Sequence, residues 1–131
     1  INNERIIIMQ TFKVYQLKGD TNRQTRWDLS TPFGGDDVEE KARSAFCLGS
    51  YTHVANIQAP NLELVFQVGN IGPEELIERI GQMASVSMGD IVVTEDEKAY
   101  LCAACGWTYL HDLVSEAFEY DFSHLDNMEV A

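Results

Sequence analysis

Apolar and polar side chains alternate in two segments of the first half of the chain, a pattern typical of β-strands with one buried face. The first segment, residues 9–18, ends at a Gly-Asp-Thr-Asn turn cluster in residues 19–22. The second, residues 51–58, stops two positions before Pro60. Both segments are predicted to be strands.

Three further segments carry the signals of helices. Residues 37–46 follow a Pro-Phe-Gly-Gly breaker and have acids in the first turn, where the helix dipole favours them. Residues 61–66 are predicted to form a short helix capped by Asn61, and Gly69-Asn70 is expected to break the chain after it. The third helix opens at Pro73, which suits a first helical turn, and is expected to run to about Met83 with Leu76 and Ile80 buried.

The clearest hairpin signal lies in the second half of the chain. Residues 90–94 and 98–105 are apolar runs joined by the charged loop of residues 95–97, and residues 107–110 are predicted to form a third strand. The last segment then carries apolar side chains three and four positions apart: Leu110, Val114, Phe118, Phe122 and Leu125. This spacing predicts an amphipathic helix whose other faces are acidic.

These elements predict an α+β fold in a single domain, residues 9–131. We expect a small sheet that is mixed or mainly antiparallel and partly curled, with four to five strands, two to three helices and the C-terminal amphipathic helix packed against it. A chain of 131 residues that is 45% hydrophobic can bury roughly two thirds of its unfolded surface, which suffices for a core. Its longest apolar run, residues 6–9, is far shorter than the ~20 residues that span a bilayer.

The first eight residues are expected to lie outside this domain. Residues 4–9 read Glu-Arg-Ile-Ile-Ile-Met, which is what one reading frame gives for a purine-rich ribosome-binding stretch, a spacer and a start codon. We therefore interpret residues 1–8 as translated leader or added residues, with the native start at Met9.

Three cysteines, an odd number without a visible signal peptide, favour free thiols and a cytoplasmic protein. Cys102 and Cys105 form a Cys-x-x-Cys, but they lie in a predicted strand rather than at a helix N-terminus, and no second pair completes a zinc set. His53 and His111 lack any neighbouring catalytic motif, so a hydrolase site would have to assemble in space. We predict no catalytic, cofactor or metal site from these residues.

Charge is distributed very unevenly along the chain. The net charge is −12 at pH 7, which argues against direct binding to nucleic-acid phosphates. Up to Asn70 there are 8 acids and 7 Lys or Arg residues, whereas after it there are 13 acids and 2. From His111 onwards there are six acids and no Lys or Arg. This segment is either a solvated helix face or a surface for a basic partner, and its candidate partner-binding residues are Asp112, Glu116, Phe118, Glu119, Tyr120, Asp121, Asp126 and Glu129.

Three short stretches carry a family resemblance. Residues 12–18 read FKVYQLK, residues 85–93 read SVSMGDIVV, and residues 99–107 read AYLCAACGW. They resemble the F-x-V-Y-Q-L-K, S-L-S-V-x-D-I-V and Y-Y-V-D-S-x-G-F stretches of the YodL-like domains of phages, conjugative elements and gut Firmicutes. Ala103, Ala104 and Trp107 depart from the Asp, Ser and Phe of that pattern, and the acidic segment after Leu110 lies outside it. The resemblance implies a small accessory protein of a mobile element, with no activity to carry over.

Together these features predict non-enzymatic protein–protein binding. We expect an acidic accessory protein that engages a host or element-encoded protein with a basic surface, in the host cytoplasm if the gene is carried by a phage. One alternative is a nucleic-acid mimic that inhibits a host nuclease or a restriction- or CRISPR-type defence effector. A second is a hydrolase with a spatially assembled histidine site. A homodimer through a sheet edge or the final helix is a further possibility, and neither membrane nor direct nucleic-acid binding is expected.

Overall fold

The fold is organised around one open antiparallel sheet of six strands. The computed structural model describes residues 8–32, 35–104 and 106–119. The strands are β1 (Gln10–Leu17), β2 (Tyr51–Ala59), β3 (Ile77–Arg79), β4 (Ile91–Val93), β5 (Ala99–Ala103) and β6 (Gly106–Leu110). They lie in the order β3-β2-β1-β4-β5-β6, and every pair is antiparallel. The predicted α+β class with a partly curled, mainly antiparallel sheet is confirmed, with one strand more than the upper number expected.

Helices cover both faces of this sheet. They are α1 (Arg23–Ser30), α2 (Val38–Cys47), α3 (Leu62–Ile71) and α4 (residues 113–119), and a 3-10 turn spans Glu74–Leu76. Helix α3 packs on one side, which we call the α3 face, through Val65 and Val68. Helices α1, α2 and α4 pack on the other side, the α4 face, where Leu29, Ala45 and Leu113 join one buried cluster. No helix in the described part of the chain is long and apolar enough to cross a membrane.

The central strand β1 owes its burial on both sides to the alternation of its side chains. Phe12 and Val14 belong to the core under α3, whereas Tyr15 and Leu17 pack against the core on the α4 face. A β-bulge shifts the register between Val14 and Tyr15, so that Val54 of β2 has no direct partner on β1. The strands predicted for residues 9–18 and 51–58 are confirmed.

Polar caps and close packing explain the helix positions. The side chain of Asn22 accepts hydrogen bonds at the start of α1, and that of Asn61 accepts one from the Leu64 amide at the start of α3, as the sequence indicated for the latter. Helix α3 continues through Gly69, where it was expected to break. A Cβ atom at Gly69 would lie 2.3 Å from Cγ2 of Val86, so the missing side chain allows α3 to pack closely against that residue.

The helix predicted for residues 73–83 is wrong. Pro73 has an extended backbone, the chain makes only one 3-10 turn, and Ile77–Arg79 then pairs with β2. The Val54 carbonyl at the bulge also accepts hydrogen bonds from the amides of Ile80 and Gly81. The outer edge of β2 therefore supplies hydrogen-bond partners for the backbone of residues 77–81, which favours a strand over a helix. As a result, Ile80 is exposed rather than buried.

Candidate partner-binding surface

Helix α4 carries the described part of the acidic segment, but its buried face differs from the predicted stripe. Leu113 is buried, Val114 and Ala117 are half-buried, and Phe118 is 71% exposed. Leu110 ends β6 and so does not belong to the helix. Leu113 and Ala117 lie one turn apart and define the packed face, from which Phe118 is rotated by about 100°. Phe122 and Leu125 lie outside the described residues.

An ion pair joins α4 to α2. The Nη1 atom of Arg43 lies 3.2 Å from Oε2 of Glu116, and the Arg43 side chain is only 17% exposed. Glu40 lies 4.0 Å from the same guanidinium. Glu116, one of the predicted partner-binding residues, is therefore already engaged by a cation, and part of its charge serves to hold the helix in place.

The loop between β4 and β5 presents three more carboxylates. Glu95 accepts a hydrogen bond of 2.7 Å from the backbone amide of Thr11, which ties the loop to the start of β1. Asp96 accepts a hydrogen bond from the Thr94 hydroxyl, which lowers the pKa of the Asp96 carboxyl, and lies 3.5 Å from the ammonium of Lys98. Glu97 follows with a positive φ of 63°.

Strand pairing brings this loop next to the start of the acidic segment. Val93 pairs with Ala99, and Ala99 pairs with Leu110, so the loop and the residues that follow Leu110 lie at the same end of neighbouring strands. We call the exposed acids gathered there the acidic end: Glu95, Asp96, Glu97, Asp112, Glu116 and Glu119. The other predicted candidates lie outside the described residues: Tyr120, Asp121, Asp126 and Glu129.

A second group of acids lies far from the acidic end in the sheet order. Glu74 and Glu75 are in the 3-10 turn and Glu78 is on β3, the strand at the opposite edge. Arg79 contacts Glu74 at 2.7 Å, while Glu78 accepts a hydrogen bond from Asn56. The exposed acids after Asn70 therefore form two separate groups, one at the acidic end and one at the β3 edge of the sheet.

A groove of about 500 Å³ runs between the acidic end and the α4 face of β1. The rings of Tyr15 and Phe46 meet edge to face in it at 5.1 Å. Its other described lining residues are Thr11, Lys13, Val93, Thr94, Glu95, Glu97, Val114 and Ala117. The groove thus combines aromatic and aliphatic walls with two carboxylates from the hairpin loop and one cation, Lys13, so that its charged lining residues are net negative.

A buried polar network fastens β1 to the turn before β4. The Gln16 amide donates to the Ala84 carbonyl at 2.9 Å and accepts from the Ala84 amide at 3.0 Å. It also donates to Oδ2 of Asp90 at 3.0 Å, and the same oxygen accepts from the Ser87 amide at 3.0 Å. The Tyr51 hydroxyl donates to the Gly89 carbonyl. This arrangement gives the buried side chains of Gln16 and Asp90 hydrogen-bond partners within the protein.

Burial shapes the acid–base behaviour of this network. Desolvation raises the pKa of Asp90 to about 6, although the Ser87 and Gln16 hydrogen bonds oppose the rise. The pKa of Tyr51 is also raised, first by burial and then by the nearby Asp90 charge. The same two causes raise the pKa of the Cys102 thiol to about 11. Cys102 is therefore a protonated thiol in β5, while Cys105 lies outside the described residues.

The two histidines of the hydrolase alternative lie apart in the described structure. His53 stacks on Tyr15 with ring centroids 5.1 Å apart, and its Nε2 atom lies 2.8 Å from the side-chain oxygen of Asn56. His111 is well exposed and lies 3.2 Å from Asp112. Neither ring is hydrogen-bonded to a serine or a cysteine within residues 8–32, 35–104 and 106–119, and no cluster there has the make-up of a metal site.

Comparison with protein-family models found no match, and neither the curated proteins nor the solved structures gave a significant one.

Proposed function

We propose that this protein acts by binding a basic segment of a partner protein at the acidic end. The observation that carries the proposal is the groove, because it places Glu95 and Glu97 beside an apolar wall that includes Tyr15 and Phe46. A lysine or arginine can lay its aliphatic stem along such a wall and direct its charge to the carboxylates. A neighbouring apolar side chain of the partner would fill the remaining space.

The charge balance of the described residues supports a basic partner. After Asn70, nine described acids are exposed, while the two Lys or Arg residues, Arg79 and Lys98, are both engaged in ion pairs with acids. The excess negative charge is therefore not compensated within that part of the chain. Such a field accelerates association with positively charged partners and opposes association with nucleic acid.

The biological setting that we propose is a small accessory protein of a phage or other mobile element, as the resemblance to YodL-like domains suggests. Two of the stretches behind that resemblance lie on β1 and at the start of β4, which are neighbouring strands. Gln16 in the first stretch hydrogen-bonds Asp90 in the second. A need for this contact would explain why the first stretch carries Gln and the second carries Asp, both in this chain and in the YodL-like pattern.

The proposal can be tested by selecting peptides of about a dozen random residues on the immobilised full chain; an extended segment of that length exceeds 30 Å and can cross the groove. We expect enrichment of peptides that combine Lys or Arg with a large apolar residue. Hydrogen exchange in the presence of an enriched peptide should then show protection in the β4–β5 loop and α4. Protection confined to residues 74–79, or enrichment without basic residues, would contradict the proposal.

A further inference from the structure

A second depression lies on the α3 face, on the opposite side of the sheet from the groove. It has a volume of about 640 Å³ and opens between the start of α3 and the last two strands. Its described lining residues are Asn61, Leu62, Glu63, Tyr100, Gly106 and Trp107. None of these residues belongs to the acidic end or lines the groove, so the two sites can be tested separately.

Aromatic rings form one side of this depression. Tyr100 of β5 pairs with Tyr109 of β6, and the next pair on the same face of the sheet is Cys102 with Trp107, so Tyr100 and Trp107 are diagonal neighbours on that face. The Tyr100 and Tyr109 rings contact each other at 5.2 Å, which restrains Tyr100. Trp107 packs in part against the core on the α3 face. The rings of Tyr100 and Trp107 are therefore both held in place before any ligand binds.

The space beside these rings is open, and one carboxylate borders it. A Cβ atom at Gly106 would have no heavy atom within 4 Å, so a glycine there leaves the entrance unobstructed. Glu63 is exposed in the first turn of α3, and within the described ranges no hydrogen bond or ion pair involves its carboxylate. The Asn61 side chain, by contrast, is already used as a cap by the Leu64 amide. Glu63 is the only charged residue in the described lining.

We propose that this depression binds an arginine side chain of a partner protein. The faces of Tyr100 and Trp107 attract a cation and accept the flat guanidinium by stacking. The Glu63 carboxylate can accept two parallel hydrogen bonds from the same group. A lysine ammonium fits less well, because it cannot stack and is more strongly hydrated. The net charge of −12 adds a favourable background for any cationic ligand.

Trp107 provides a direct reporter for this site. The chain has two tryptophans, and Trp27 is 52% exposed, so Trp27→Phe leaves Trp107 as the only indole emitter in a folded chain. We would titrate this variant with N-acetyl-arginine amide, N-acetyl-lysine amide and N-acetyl-citrulline amide. Citrulline has nearly the shape of arginine but no charge. Shifts of the Trp107 indole N–H resonance in the unsubstituted chain give a second readout that does not depend on the Trp27 substitution.

We expect arginine amide to bind at least about fivefold more tightly than citrulline amide. Glu63→Gln should weaken arginine binding about three- to fivefold, whereas the control Glu75→Gln, an exposed acid at the other edge of the sheet, should not change it. Tyr100→Leu should weaken it as well. Equal binding of arginine and citrulline, an unchanged affinity in Glu63→Gln, or no response of Trp107 to arginine would overturn the proposal.

Discussion

Replacing Asp90 by asparagine should make the chain less sensitive to pH. The side chain is 7% exposed, and both hydrogen bonds described above reach Oδ2, from Gln16 and from Ser87. An asparagine oxygen at the same position can accept both. The substitution therefore keeps the shape and the hydrogen bonds while removing the buried charge.

The sign of the pH effect follows from the direction of the pKa change. Because burial raises the pKa of Asp90 from 3.8 to about 6, the folded chain holds this proton more tightly than the unfolded chain. The free energy of unfolding contributed by Asp90 therefore increases as the pH falls from about 6 to about 4. The difference between the two pKa values corresponds to about 3 kcal/mol. At neutral pH the buried, ionised carboxylate lowers the free energy of unfolding by an amount of that order. A neutral asparagine side chain at the same position has no such cost.

Urea unfolding of both chains, followed by tryptophan fluorescence, measures this effect. The unfolding free energy of Asp90→Asn minus that of the unsubstituted chain should fall by about 2 kcal/mol between about pH 7.5 and pH 4.5, because the unfolded carboxyl, with its pKa of 3.8, is still largely ionised at pH 4.5. Taking the difference removes the contributions of all other groups. A difference that stays constant, or that grows as the pH falls, would contradict the raised pKa of Asp90 in the folded chain.

Asp28→Asn provides a control with a different pH dependence. Hydrogen bonds from Lys41 and Gln24 lower the pKa of Asp28, so its stabilising contribution is complete above 3.8 and is lost only as the pH falls through the lowered value. Asp28→Asn should therefore lower the stability by the same amount at every pH from about 7.5 to 4.5.

Three further predictions concern packing and reactivity. Gly69→Ala should lower the unfolding free energy by about 1–3 kcal/mol, because its Cβ would meet Val86 at 2.3 Å; urea unfolding that shows equal or higher stability would contradict the close approach. Leu113→Ala should cost about 2–4 kcal/mol, whereas Phe118→Ala should change the stability by less than about 0.5 kcal/mol, and equal losses would contradict the orientation of α4. Cys102 should resist alkylation in site-resolved mass spectrometry until urea opens the fold, since burial keeps its thiol protonated; rapid labelling of the native chain would argue against this.

The strands could be predicted because their burial produces a pattern within a few residues. In β1 and β2 the alternation follows directly from the two faces of the sheet, and the hairpin of β4 and β5 is local in sequence. Helix α1 was not predicted. Leu29 is its only buried apolar residue, so no apolar periodicity accompanies the cap at Asn22. The burial of Leu29 and the cap at Asn22 hold this helix in place, and neither produces a repeating apolar pattern in the sequence.

Long-range pairing explains the other differences. Pro73 is typical of the first turn of a helix, which led to the prediction of a helix over residues 73–83. Residues 77–79 instead pair with the free edge of β2 and form β3. Gln16 and Asp90 are 74 positions apart, and nothing in either local segment predicts that their side chains meet. The charged loop of residues 95–97 was visible in the sequence, yet its place beside α4 depends on the registers of three strands.

We propose that a basic partner binds at the acidic end and not at exposed acids in general. The most direct test compares two triple variants that each remove three negative charges. Glu95→Gln, Glu97→Gln and Glu119→Gln change the acidic end; Glu74→Gln, Glu75→Gln and Glu78→Gln change the opposite edge. The affinity of each for a selected basic peptide would be measured at about 150 mM salt, where charges more than about 8 Å apart are largely screened.

We predict that the first variant binds the peptide at least about threefold more weakly, since the three carboxylates contribute about 0.2–1 kcal/mol each and so about 0.6–3 kcal/mol together. The second should bind within about twofold of the unsubstituted chain. Equal weakening of both variants would contradict a defined site and leave only the general charge of the protein.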